Sequence, residues 1–158
     1  MKDSLRTGIS FGLTSAVITT LGLMVGLHSG THSKIVVLAG ILTIAIADAF
    51  SDALGIHVSE EAENKHTIKQ IWAATISTFL AKFLFAMTFV VPLILFTLST
   101  AIVIGLIWGL SILSLLSYFI AKSQSEPAWK IVGEHLMIAI VVIGITHWVG
   151  DWLGKLNA

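Results

Sequence analysis

Charge is what this sequence has least of. Only 11% of its 158 residues are charged while 56% are hydrophobic, against about a quarter charged in an average soluble domain. So sparse a polar surface excludes an ordinary water-soluble fold. Cysteine is absent altogether, which removes disulfides, thiolate zinc sites and thiol nucleophiles from consideration. Nor is there an excess of one sign: nine basic residues balance nine acidic ones, so neither a polybasic nucleic-acid binder nor an acidic tail is present. Soluble-enzyme signatures are scarce too, with no phosphate-cradling glycine loop before a Lys-Ser/Thr pair and no HExxH. Neither an enzymatic activity nor a permanently bound cofactor is expected.

What the sequence has instead is a series of long apolar runs. A helix needs about 20 mostly apolar residues to cross a hydrocarbon layer about 30 Å thick, and the runs 8–27, 35–58, 71–96, 98–121 and 131–153 meet that requirement. The expectation is an all-α polytopic membrane protein, a single domain over residues 1–158 with five transmembrane helices and the lipid bilayer around them. The first run is long, rich in glycine and followed at once by another, unlike a cleavable signal peptide. The third and fourth almost touch at Thr97 and should form a tight hairpin, and Pro92 should kink the third by removing one backbone hydrogen bond. Lys2, Arg6, Lys65, Lys69, Lys122 and Lys130 fall on the side of the N-terminus, against Lys34 and Lys155 on the other. Positive-inside bias then puts the N-terminus in the cytoplasm and the C-terminus on the opposite face, of the plasma membrane or an internal one. Trp148 and Trp152 fit an aromatic belt at that far face.

Charges deep inside spans cost about 2.5 to 3.5 kcal/mol each on insertion scales and mark a functional site by default, and the three that matter here are Asp48, Asp52 and Lys82. Asp48 and Asp52 are four apart on the second span, so their carboxylates share one helix face. At 1.5 Å per residue Asp48 lies about 15 Å from the cytoplasmic end of its helix, Asp52 about 9 Å, and Lys82 of the third span about 16 Å. Lys82 and Asp48 share a depth and are expected to pair. Ser15 and Thr19 of the first span and Met137 of the fifth fall near the same levels, which gives a polar layer just on the cytoplasmic side of the midplane. Paired carboxylates with hydroxyl and thioether groups suit a hard-to-borderline divalent cation such as iron(II) or manganese(II). The competing reading is a structural salt bridge from Lys82 to one aspartate, with the other protonated. On the first reading the ammonium swings away or loses its proton when a cation enters, which exchanges protons for metal; on the second the chain is a membrane scaffold or regulatory subunit that transports nothing.

Further polar groups sit at the ends of the spans. His57, Glu60, Glu61 and Glu63 on the cytoplasmic continuation of the second span have same-face helical spacing, which suits metal gathering as well as plain solvation. His28 and His32 repeat the spacing within LHSGTHSK, read as a short polar loop. His147 and Asp151 repeat it near the outer face, with an exit site as one reading. Gly8, Gly12, Ser15, Thr19, Gly22 and Gly26 draw a stripe of small residues along the first span, suited to close helix packing within the chain or across a dimer.

The stretch VVLAGILTIAIADAFSDALGIHVSEEAE resembles the second helix of the vacuolar iron transporter family, with its ADxxS core, following glycine and glutamate-rich exit, and SAVITTLGLMVGL resembles the first helix of that family. The five-span layout extends the resemblance over nearly the whole chain. It implies a homodimer joined through the first helix, moving iron(II) or manganese(II) out of the cytosol in exchange for protons along the first two helices. The chain would be a divergent, short member. Ser15 stands where the family has an aspartate, Asp52 where it has a methionine, Ile56 where it has a glutamate, and residues 59–70 replace its long cytoplasmic metal-binding helices.

Overall fold

A computed structural model describes residues 2–156, which form α1 (Lys2–Thr31), α2 (Lys34–Ala62), α3 (Ile68–Thr88), α4 (Val90–Leu95), α5 (Leu98–Gln124) and α6 (Ala128–Leu156). Five helical segments, with α3 and α4 taken together, are long and apolar enough to cross a membrane. Their outer faces carry Phe50, Leu54, Leu84, Ile107, Phe119 and Ile145, all more than half exposed. Apolar surface of that extent suits hydrocarbon around the bundle rather than water.

Two boundaries differ instructively from the sequence expectation. The stretch LHSGT is helical rather than a loop: α1 continues to Thr31 and stops where His32 takes a left-handed conformation, φ 50°. Helix satisfies the backbone internally, which a polar composition does not override at the edge of an apolar environment. The run 71–96 is not one helix. It breaks at Phe89, three residues before Pro92, because proline has no N–H for the Thr88 carbonyl and its ring crowds that same group. The hairpin at Thr97 forms as expected, with α4 ending at Leu95 and α5 starting at Leu98. Between α2 and α3, Thr67 opens a capping box: its backbone N–H donates to Gln70 Oε1 at 2.9 Å while its hydroxyl accepts from the Gln70 N–H.

Helix α1 is the hub of the bundle, packed against α2, α3, α5 and α6. Its small-residue stripe explains how. Gly8 and Gly12 lie directly on the α3 backbone at Ala74 and Thr78, whereas Gly22, Gly26 and Gly30 lie on α6 at Val142, Thr146 and Gly150. Glycine is required most at Gly8, Gly12 and Gly30, where a Cβ would strike a main-chain carbonyl oxygen of the facing helix. The matching order of these contacts makes α1, α3 and α6 parallel, with α2 and α5 antiparallel to them, so the two ends of the chain lie at opposite ends of the bundle. The stripe is thus consumed within the chain.

The apolar core fills the half of the bundle farther from the N-terminus, where Val17, Leu21, Met24, Val37, Ile41, Phe89, Leu93 and Leu113 are buried together. The polar centre lies just below it. Gly12→Ala tests the crossing that supports this centre: the added methyl would stand 2.6 Å from the Thr78 carbonyl oxygen and 3.0 Å from the Ala81 Cβ. Overpacking against backbone costs about 1–3 kcal/mol, so the expected result is a clearly lower unfolding temperature in detergent. Gly55→Ala, with nothing within 4 Å of its new methyl, is the matched control and should be neutral or slightly stabilising through helix propensity.

Candidate functional site

The polar centre is assembled by three helices. On α3, Ala74, Thr78, Lys82 and Ala86 form a buried row at four-residue spacing, and Lys82 is 2% exposed. On α2, Ala45, Ala49 and Ala53 form the buried row, and Asp48 and Asp52 precede two of them by one residue, about 100° round the helix. The small alanines let α2 approach α3, and the aspartates then flank the seam. Ser15 joins from α1, next to the glycines that bring α1 onto α3.

The Lys82 ammonium donates to Asp48 Oδ2 at 2.6 Å, to Asp52 Oδ2 at 2.5 Å and to Ser15 Oγ at 2.8 Å. An ammonium has three N–H donors, and all three are used. Short contacts of this kind are charge-assisted and among the stronger hydrogen bonds. With both carboxylates ionised, two negative charges surround one positive charge and the group keeps a net charge of −1. The carboxylates are not sealed in: the side chains of Asp48 and Asp52 are 31% and 18% exposed. Each therefore has a side turned away from the lysine.

A comparison with protein-family models, with curated proteins and with solved structures finds no match. The reading of this centre rests on its own geometry.

Of the residues placed near this level by sequence, the structure brings Asp48, Asp52, Ser15 and Lys82 together and leaves two out. Thr19 turns its hydroxyl back onto the Ser15 carbonyl, 2.9 Å away on its own helix. Met137 is 64% exposed on the outside of α6, one residue off the face that packs inward through Leu136, Ala139 and Ile143. Depth along the helix axis was right for Met137 and its direction round the axis was not. Ile56 is half-buried one turn beyond Asp52.

The end of α2 is committed to pairs of its own. His57 Nδ1 lies 2.9 Å from Thr75 Oγ1 of α3, and its ring meets Trp72 edge-on. Glu60 Oε2 lies 2.6 Å from His66 Nδ1, and Glu63 makes an exposed contact of 3.9 Å with Lys65. Glu61 is exposed. Of the gathering cluster expected from the spacing of His57, Glu60, Glu61 and Glu63, His57 is engaged by α3 and Glu60 and Glu63 by residues of the link before it. Among the described residues no three His, Asp or Glu side chains form a ready-made cation cage.

One pairing has no counterpart in the sequence reading. Buried Ser117 of α5 lies 2.7 Å from His135 Nδ1 of α6, an arrangement that invites comparison with a nucleophile and its base. The Ser117 hydroxyl, however, donates to the Leu113 carbonyl at 2.6 Å. With its single hydrogen spent there, the oxygen accepts from the imidazole instead of being activated by it. The pair fastens α5 to α6.

Proposed function

We propose that this chain is a membrane transporter of divalent transition-metal ions, iron(II) or manganese(II), with Asp48 and Asp52 as the ligands, Ser15 beside them and Lys82 as a resident counter-cation. The observation that supports this reading is the oxygen cage around the Lys82 ammonium: two carboxylates and a hydroxyl hold one cation where the helices could hold another. A structural ion pair needs one aspartate, and here there are two. When a divalent ion replaces the ammonium, the charge of the pair of carboxylates is balanced in full. The displaced lysine either swings aside or gives up its proton, and the second route couples metal movement to protons. On the positive-inside orientation the direction is export from the cytosol, as the resemblance to vacuolar iron transporters implies.

A second reading is favoured by a specific feature, the use of all three Lys82 donors. A saturated ammonium is a lock, and a locked centre suits a scaffold or regulatory subunit that moves no ion. Flux separates the two. Proteoliposomes loaded with a metal-quenched dye should show uptake of iron(II) or manganese(II) that responds to a pH gradient and disappears in Asp48→Asn and Asp52→Asn proteins. Folded protein that gives no flux above empty liposomes for iron(II), manganese(II), cobalt(II) or zinc(II) would overturn the transport reading in favour of the scaffold.

A further inference from the structure

Where α1 begins and α5 ends, the two helices enclose a cleft of about 350 Å³ lined by Arg6, Thr7, Ser10, Ile120, Ser123 and Gln124. Their antiparallel register brings these residues together. Leu21 lies on Gly109 and Met24 on Gly105, and equal steps back along α1 and forward along α5 put Ser10 opposite Ile120 and Arg6 opposite Ser123 and Gln124. The lining changes character along its length. Ser10 and Ile120 belong to the apolar runs 8–27 and 98–121, whereas Arg6, Thr7, Ser123 and Gln124 lie just beyond the ends of those runs. The cleft therefore straddles the edge of the hydrocarbon, the level at which a bilayer places its polar headgroups.

The polar groups of this cleft suit a phosphate. Arg6 is the single arginine of the chain, and a guanidinium presents a planar fork of N–H donors that matches phosphate oxygens two at a time. Among the described residues Arg6 has no ion pair and no hydrogen bond, Asp3 one turn before it included. By contrast, Lys34, Lys82 and Lys155 are each bound to an oxygen of the protein. Thr7 and Ser10 add hydroxyls that are also unpaired among the described residues, whereas most hydroxyls of the bundle, such as those of Thr19, Ser114 and Thr146, turn back onto their own helix. The Ser123 hydroxyl does the same, donating to the Ile120 carbonyl at 2.7 Å, so it brings no donor to the cleft. Lys2, Arg6 and Lys122 on the same two helix ends outnumber Asp3 and Glu126 beside them, which leaves the surroundings positive.

We propose that this cleft binds the phosphate of an anionic phospholipid, with the Arg6 fork and the Thr7 and Ser10 hydroxyls on its oxygens and the acyl chains leaving past Ile120 into the surrounding hydrocarbon. A lipid is favoured over free phosphate because the cleft opens at the hydrocarbon edge and Ile120 gives its inner end an apolar wall. On the positive-inside orientation this is the cytoplasmic leaflet, where anionic lipids collect and basic pockets between spans hold their headgroups. The site is separate from the Asp48, Asp52 and Lys82 group and does not depend on transport.

The test uses the full chain, purified in detergent and titrated with phosphatidylglycerol or phosphatidylcholine under native mass spectrometry. One molecule of phosphatidylglycerol is expected to stay bound, at least about 5-fold more tightly than phosphatidylcholine, the scale set by one basic side chain at a membrane surface. Arg6→Gln, at an exposed position that should fold normally, is expected to remove that preference. Thr7→Ala with Ser10→Ala should also weaken phosphatidylglycerol while leaving every charge in place, a result that general attraction to basic surface does not give. Lys69→Gln takes an exposed cation from the same end of the bundle but from α3, outside the cleft, and should leave binding unchanged. Millimolar inorganic phosphate should not displace the lipid. Equal binding of the two lipids, binding unchanged in both cleft variants, a loss in Lys69→Gln protein as large as in Arg6→Gln protein, or full displacement by inorganic phosphate would each overturn the proposal.

Discussion

Replacing Lys82 with alanine is expected to give the largest loss of stability of any single change in this chain. The ammonium is 2% exposed and satisfies two carboxylates and a hydroxyl at once. Removing one partner of a buried ion pair costs about 3–5 kcal/mol, because the remaining charge is left uncompensated. Two carboxylates four residues apart on one helix would then repel each other, and uptake of a proton by one of them would limit the cost. Adding Asp48→Asn and Asp52→Asn to Lys82→Ala should therefore recover much of the loss, since polar but neutral groups replace unpaired charges. The same variant also separates the two functional readings. On the transport reading, Lys82→Ala vacates the oxygen cage, so manganese(II) should bind more tightly and raise the unfolding temperature again. A ligand at 100 times its dissociation constant stabilises by about 2.7 kcal/mol, enough to see in a thermal melt. On the scaffold reading, manganese(II) leaves the melting curve of the variant where it was.

Much of this centre was legible in the sequence because a charge inside an apolar run is rare and its depth follows from counting residues. Lys82 with Asp48 was found in that way. Asp52 was placed a turn lower, yet the lysine reaches both carboxylates, because its stem is long enough to set the ammonium between two residues only one turn of α2 apart. What counting does not give is direction round the helix. Met137 had the right depth and the wrong azimuth, since α6 packs through Leu136, Ala139 and Ile143 and turns residue 137 outward. The small-residue stripe of α1 was legible as a packing surface but not its partners. Only the structure shows that its lower glycines seat α3 and its upper ones seat α6. The end of the first helix shows a related limit: His28 reads as part of a short polar loop, yet it belongs to a helix that continues to Thr31.

Asp48→Asn and Asp52→Asn are expected to show the opposite pattern from Lys82→Ala, with little effect on stability and a large effect on metal. Either change leaves one carboxylate on the Lys82 ammonium, a neutral pair, and keeps an oxygen of the amide within hydrogen-bonding reach. The net charge of the group goes from −1 to zero, which is if anything easier to hold at membrane depth. An unfolding temperature at or slightly above that of the unmodified protein is the expected result for each. A metal site loses an anionic ligand by the same substitution, and the cation then faces the lysine with half the compensating charge, so metal affinity and flux should fall by about 100-fold or more, beyond the usual loss of a supporting group. Asp52 is the less exposed of the two and makes the shorter contact with the ammonium. Its loss should disturb lysine placement more, whereas loss of Asp48, the more open carboxylate, should act mainly on the entry of an ion from outside the group. Equal stability with flux abolished in both variants is the result that a purely structural ion pair cannot give, because such a pair has no use for the second aspartate. Flux retained in either variant would show that one carboxylate is enough and would remove the two-ligand site.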